Sequence, residues 1–268
     1  LTWEPLKGLK FRSEFGYGWR YNNVDQVWAA KATSNSKFGY SGQPQAYLTK
    51  RVQKEWRLAN TVTYDKSKLL TKDDKLNVML GQELTSSKYT DTNMTSVGFD
   101  KDTTIDQVLA QMGNGVALPT QTYIGINDNM SSFFGRLNYT LKDRYLLTAT
   151  LRADGSSRFS SGNRWGVFPS VALAWRINEE AFMRNSQDWL SNLKLRLSYG
   201  TAGNNRIDAS YMYTTYALAG TSDRTIYFNE AAAPMLQHGV MLANPGLKWE
   251  TTITRNLGVD FGLFNNRV

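Results

Sequence analysis

The 268-residue chain has no cysteine and a single histidine. Without thiols, a disulfide framework and a Cys-based metal or redox centre are both excluded. One imidazole cannot build a multi-histidine metal site. As a catalytic base, His238 would need an oriented nucleophile and a third group; it sits in a polar stretch and reads as a plain loop residue. No segment approaches the about 20 consecutive apolar residues of a membrane helix. No phosphate-cradling glycine loop occurs, so nothing argues for a nucleotide. Basic clusters of five or more are also missing although the net charge is +8. Lysines and arginines are scattered, many alternating with apolar residues, which argues against a nucleic-acid surface. The acid pairs Asp73-Asp74 and Glu179-Glu180 are neighbours in sequence. They read as solvated side chains that point apart, not as the facing carboxylates of a glycosidase. The expectation is no enzyme, no metal and no cofactor.

Aromatic residues are abundant at 13%, with 14 Tyr and 8 Trp, as suits a barrel with aromatic girdles at both membrane interfaces. The dominant pattern is period-two alternation, the mark of strands with two unlike faces. From Leu9 to Tyr21, Leu9, Phe11, Phe15, Tyr17, Trp19 and Tyr21 share one face, against Lys10, Arg12, Glu14, Gly16, Gly18 and Arg20. Similar segments run over Trp56–Tyr64, Lys75–Glu83, Ser131–Leu141, Tyr145–Asp154, Gly166–Ile177, Leu193–Gly200 and Lys248–Phe264. Pro169 interrupts the sixth, where the missing donor predicts a bulge or local unpairing. Asn178 to Leu190 has room for one short helix.

The connections alternate between long and short along the chain. Long polar stretches cover Asn22 to Glu55, Leu84 to Met130 and Thr201 to Gly246; Asp65–Asp74, Lys142-Asp143-Arg144 and Asn265-Asn266 are short. The longest exceed roughly 30 residues, far above ordinary connections in compact domains. Long loops at one end and short turns at the other are the pattern of outer-membrane barrels. The apolar faces are then expected to meet lipid and the charged faces the lumen, since a charge facing lipid near the midplane costs about 2–4 kcal/mol. The fold class expected is all-β: an antiparallel transmembrane β-barrel segment of about eight strands. Both ends read as interior sequence, so a larger barrel is expected.

Several motifs are more specific. Phe133-Phe134-Gly135-Arg136-Leu137-Asn138-Tyr139 is followed by Asp143-Arg144-Tyr145-Leu146-Leu147-Thr148-Ala149-Thr150-Leu151-Arg152-Ala153-Asp154-Gly155-Ser156-Ser157-Arg158-Phe159. Then come Asn163-Arg164-Trp165-Gly166-Val167-Phe168-Pro169-Ser170, Leu190–Gly200, Asn244-Pro245-Gly246-Leu247-Lys248-Trp249-Glu250 and Asp260–Arg267. This ordered set resembles the SusC/RagA family of TonB-dependent outer-membrane transporters, strongly from Ser131 onward and mainly in strand pattern before it. The resemblance implies a plugged barrel of about 22 strands. Residues 1–268 would be part of its barrel domain, with the plug and the final strands outside. It implies TonB-dependent import of oligosaccharides, or in some cases peptides, across the outer membrane of a Bacteroidetes-type bacterium. The implied partners are a SusD-like surface lipoprotein, TonB (through a missing N-terminal part) and outer-membrane lipid. Competing readings are a passive porin, a siderophore receptor and, from another class, a soluble all-β carbohydrate-binding module. The last predicts a second sheet covering the Leu9–Tyr21 apolar face.

Aromatic residues in the long polar stretches are candidates to stack on sugar rings or meet the partner: Trp28, Tyr40, Tyr47, Tyr89, Tyr211, Tyr213, Tyr216, Tyr227 and Phe228. Packing of each loop on itself is the competing role. Asp154, Ser157 and Arg158 are expected to fix their loop by hydrogen bonds.

Overall fold

The computed structural model describes residues 1–33, 40–186, 189–214, 216–218, 226–228, 231–233, 236–238 and 242–264. Long strands dominate: β1 (Thr2–Leu6), β2 (Leu9–Trp28), β3 (Gln45–Ser67), β4 (Lys75–Val97), the short β5 (Val116–Ala117) and β6 (Gln121–Ile124), β7 (Asp128–Leu141), β8 (Tyr145–Ser156), β9 (Trp165–Arg176) and β10 (Leu190–Asn204). Short β11 (Tyr216–Leu218), β12 (Ile226–Phe228), β13 (Ala231–Ala233) and β14 (Leu236–His238) precede β15 (Glu250–Leu263). One sheet follows the order β1-β2-β3-β4-β7-β8-β9-β10-β15, with β5 and β6 beside β4. Neighbours along the chain pair antiparallel, as hairpin-connected strands do.

The chain divides into two compact units: residues 1–15, 57–85 and 129–268, and residues 16–56 and 86–128. In the first, the registers stack like faces. Tyr139, Leu147, Leu173, Leu197 and Leu257 form one continuous row. Asn138, Thr148, Ala172, Ser198 and Asn256 form the row on the opposite face. The apolar row is open to its surroundings: Leu257 is 74% exposed and Phe261 64%. In the second unit Trp19 is 60% exposed and Tyr21 61%. No second sheet covers the Leu9–Tyr21 face among the described residues, as a soluble module would require. A face this apolar and this open suits lipid contact. Arg255 is an exception on that face. It lies opposite Tyr199, its guanidinium 5.9 Å from the ring centroid.

The strands outrun the sequence expectation. β2 has 20 residues, β3 and β4 have 23 each. The stretches expected as loops, Asn22–Glu55 and Leu84–Met130, are therefore largely strand at their ends. Beyond the apolar band neither face needs to be apolar, so alternation fades while the ladder continues. Ser86–Val97 keeps the β-favouring Thr90, Thr92, Thr95 and Tyr89 instead. β1 was also hidden, because it is short and turns back at Gly8, where φ is +87°. The short helix expected over Asn178–Leu190 is two 3-10 turns, Ile177–Glu179 and Ala181–Ser186. At Pro169 no bulge forms: Leu151↔Pro169 sits in an unbroken β8–β9 ladder. Pairing with β10 instead stops at Ser170↔Gly200, and the Thr201 hydroxyl donates to the Pro169 carbonyl at 3.1 Å. His238 lies in β14, not a loop, and its side chain is outside the described residues, as is the Asn265-Asn266 turn.

Turn chemistry closes the short ends. Lys142 and Asp143 both have φ of 53°, the mirror-image pair that matches strand twist in tight hairpins. The Asp143 carboxylate is held below the usual carboxylate range by its hydrogen bond from Lys75. The acid pairs are not simply solvated. Asp74 is 1% exposed and accepts the N–H groups of Leu69 (2.8 Å), Leu70 (2.7 Å) and Thr71 (3.2 Å), plus the Tyr139 hydroxyl at 3.1 Å. Burial pushes its carboxyl up, but those donors outweigh burial and hold the pKa below the ordinary value. Glu180 accepts from the Tyr145 hydroxyl (2.6 Å), Trp175 Nε1 (3.0 Å) and Arg144 (2.9 Å). Its pKa is lowered, first by the Tyr145 hydrogen bond.

Candidate functional site

The polar face of the sheet carries a series of partnered charges. Residues two apart share a face, so one register brings complementary groups together. In the first unit Arg152 Nε lies 2.8 Å from both Asp154 oxygens, and its Nη2 donates to Ser132 Oγ at 2.9 Å. Arg57 donates to Glu83 at 2.7 Å and Arg196 to Asp260 at 2.6 Å. Asn138 bridges Asn77 and Thr148, at 3.0 Å each. In the second unit Arg51 grips Asp91 with two bonds of 2.6 and 2.7 Å, flanked by Thr49–Asn93 at 2.9 Å and Gln53–Ser87 at 3.1 Å. Bidentate pairs of this kind hold planar polar edges in fixed positions. Among the described residues no group of three or more His, Asp or Glu is placed to hold a metal ion.

The aromatic candidates divide between the units. Trp28, Tyr40, Tyr47 and Tyr89 belong to the second. Trp28 ends β2, Tyr47 lies on β3 and Tyr89 on β4, so these three are strand residues, not loop residues. The rings of Trp28 and Tyr47 meet at 6.4 Å. Tyr40 packs against Gly98, where φ is +72° and an added Cβ would come within 3.0 Å of its ring. Tyr89 lies under the Arg51 guanidinium at 4.4 Å and beside Tyr123 at 5.9 Å. Arg51, Asp91 and Tyr123 were missed as site residues because the extended strands around them read as loop. In the first unit Tyr211, Tyr213 and Tyr216 are exposed on the β10–β15 connection. Tyr227 and Phe228 have backbone in β12, and their side chains lie outside the described residues.

A second aromatic group secures the loop ends of the first unit. Trp249 meets Phe159 at 5.4 Å and Phe168 at 5.3 Å, and donates to the Arg164 carbonyl at 2.8 Å. Phe159 is fully buried. Gly166 and Gly203 leave the space Phe168 fills, since a Cβ at either would strike its ring. Ser160 and Asn163 both donate to the Pro245 carbonyl, at 2.8 and 3.2 Å. Asn129 N donates to Ser157 Oγ at 2.8 Å, and Arg158 Nη1 donates to the Ile207 carbonyl at 2.8 Å. Ser157 and Arg158 thus fix their loop by hydrogen bonds, as expected, whereas the Asp154 carboxylate binds Arg152 on its own strand.

Comparison with known proteins places this architecture. The family model described as TonB dependent receptor-like, beta-barrel matches residues 2–268. The chain is 31% identical over 263 residues to TonB-dependent receptor SusC of Bacteroides thetaiotaomicron, covering 98% of this chain and 24% of that protein. It is 35% identical over 218 residues to TonB-dependent receptor P26 of Formosa agariphila, covering 80% of this chain and 21% of that protein. The solved structure of the RagAB peptide transporter superposes with a TM-score of 0.75 at 25% identity, over 99% of this chain and 27% of that one. The chain spans about a quarter of the length of the curated relatives it matches. An antiparallel sheet with one apolar open face, one charge-paired face and these relatives has one home: the chain belongs to the TonB-dependent receptor β-barrel family, in its SusC/RagA branch, the outer-membrane receptors of Bacteroidetes-type bacteria.

Proposed function

We propose that this chain is part of the wall of a TonB-dependent importer of oligosaccharides, with peptides as the second substrate class, working with a SusD-like surface lipoprotein. The observation that carries the proposal is the match to SusC across 98% of the chain. A plug and a TonB contact lie outside residues 1–268 in this reading, as do further strands. The long-loop end faces the medium. The polar face, with its partnered charges, lines the lumen and offers solute hydrogen bonds. Trp28, Tyr40, Tyr47 and Tyr89, with Tyr211, Tyr213, Tyr216, Tyr227 and Phe228, serve as ligand or partner contacts. Ile105 and Leu109, 50% and 39% exposed one turn apart on α1 (Ile105–Ala110), give the lipoprotein an apolar foothold.

The test is uptake of labelled neutral oligosaccharides and tripeptides by cells carrying the full-length gene. Oligosaccharide import is expected to stop when TonB is deleted or the proton gradient collapsed. Uptake indifferent to both would establish a passive porin, and uptake confined to iron chelates a siderophore receptor. Trp28→Ala is expected to raise the half-saturating oligosaccharide concentration about 2- to 12-fold, the scale of one aromatic contact.

A further inference from the structure

The connection between β4 and β7 holds a small polar cleft inside the second unit. The chain leaves β4, turns at Gly98 and enters α1. The start of α1 is set by a capping box: Gln107 Oε1 accepts from Thr104 N and from the Thr104 hydroxyl, both at 3.0 Å, while Gln107 N donates to Thr104 Oγ1. Between this loop and the helix lies a cleft of 260 Å³. Phe99 lines it and is itself buried in a cluster with Ala46 and Val108. Asp100, Thr103, Gln107, Gln111 and Asn114 form the walls.

The wall amides are set in advance. The capping box engages the Gln107 oxygen, and Asn114 Nδ2 donates to Gln111 Oε1 at 2.7 Å. Among the described residues this leaves two donors, Gln107 Nε2 and Gln111 Nε2, without a partner. Two acceptors, Asn114 Oδ1 and the Asp100 carboxylate, are equally unengaged. No lysine or arginine lines the cleft.

We propose that this cleft is a subsite for a single uncharged, hydroxyl-rich ring, one neutral sugar residue of an oligosaccharide. The inference rests on the import reading above and adds a place and a ligand charge to it. A sugar hydroxyl both donates and accepts, so neighbouring hydroxyls satisfy fixed donors and acceptors together. Asp100, in a cleft lined by no lysine or arginine, rejects a uronate or a peptide carboxylate. The volume lies below the about 300–1,000 Å³ typical of drug-sized ligands, so the cleft takes one ring and not a chain.

The experiment is calorimetric titration of the detergent-purified full-length transporter with neutral oligosaccharides, uronate-bearing oligosaccharides and tripeptides. The variants are Asp100→Ala, Asp100→Asn and Gln111→Ala, whose side chains are exposed. Wild type is expected to prefer the neutral series. Asp100→Ala should weaken neutral binding on the order of tenfold, and Gln111→Ala roughly 2- to 12-fold. Asp100→Asn should retain most neutral affinity and admit uronates. If wild type binds neutral oligosaccharides and all three variants match it, the cleft is not a subsite and the import reading stands. If the Asp100 variants abolish tripeptide or uronate binding instead, the uncharged class is wrong. If wild type binds no oligosaccharide at all, the import reading for oligosaccharides falls and the subsite with it.

Discussion

Asp74 shows how one side chain can organise a turn. Its carboxylate collects three successive backbone N–H groups and a phenol, closing the β3–β4 turn. Sequence reasoning treated Asp73 and Asp74 alike, because adjacency says nothing about which acid turns inward. The separating signal is the backbone of residues 69–71, whose donors have no strand partner and must find an acceptor. The folded pKa of Asp74 is below its ordinary value of 3.8. A depressed carboxylate contributes stability that is fully present above the unfolded pKa and is lost as pH falls through the folded one. The turn is therefore expected to hold unchanged from neutral pH to about pH 4 and to loosen below it. Hydrogen–deuterium exchange on the full-length protein, corrected for intrinsic rates, checks this. At pH 7 Asp74→Asn should speed exchange at Leu69, Leu70 and Thr71 severalfold. Unchanged protection would mean the turn closes without the carboxylate.

At the scale of the strand, what the sequence reveals depends on how different the two faces are. β7 to β10 and β15 lie in the apolar band, and their alternation locates them within a few residues. β2 to β4 run past it, and there the alternation disappears although the ladder does not. That is why Tyr47 and Tyr89 read as loop residues, and why the Arg51–Asp91 pair escaped notice. The cost of a charge measures the same contrast between faces. Leu197 lies mid-strand on the open face, between Leu173 and Leu257; Ser198 faces the other way, between Ala172 and Asn256. Leu197→Arg is expected to destabilise the full-length barrel in a lipid bilayer by about 2–4 kcal/mol. Ser198→Arg should change it by less than about 0.5 kcal/mol. Equilibrium denaturant unfolding in bilayers reads both, and equal costs would contradict the face assignment.

For the molecule as a whole, the informative feature is that no second layer covers the sheet among the described residues. A water-soluble sheet must bury one face against another element. Here the open face carries Leu257, Val259 and Phe261 at 74%, 55% and 64% exposure. An apolar solvent makes that arrangement stable, since each such side chain gains about 1.5–3 kcal/mol on leaving water. The opposite face is kept wet by ion pairs that lipid would not tolerate. The lack of cysteine allows a direct reading of this two-sidedness. Single cysteines at residues 256–261 can be placed in the full-length protein, with any cysteine elsewhere replaced by serine. Treatment of intact outer membranes with a charged, water-soluble maleimide should label Asn256→Cys, Gly258→Cys and Asp260→Cys, and spare Leu257→Cys, Val259→Cys and Phe261→Cys. A strict two-residue period means that water lines one side of β15 and lipid the other. Labelling of all six would mean that both faces meet water, and then the barrel wall and the import path built on it would both be wrong.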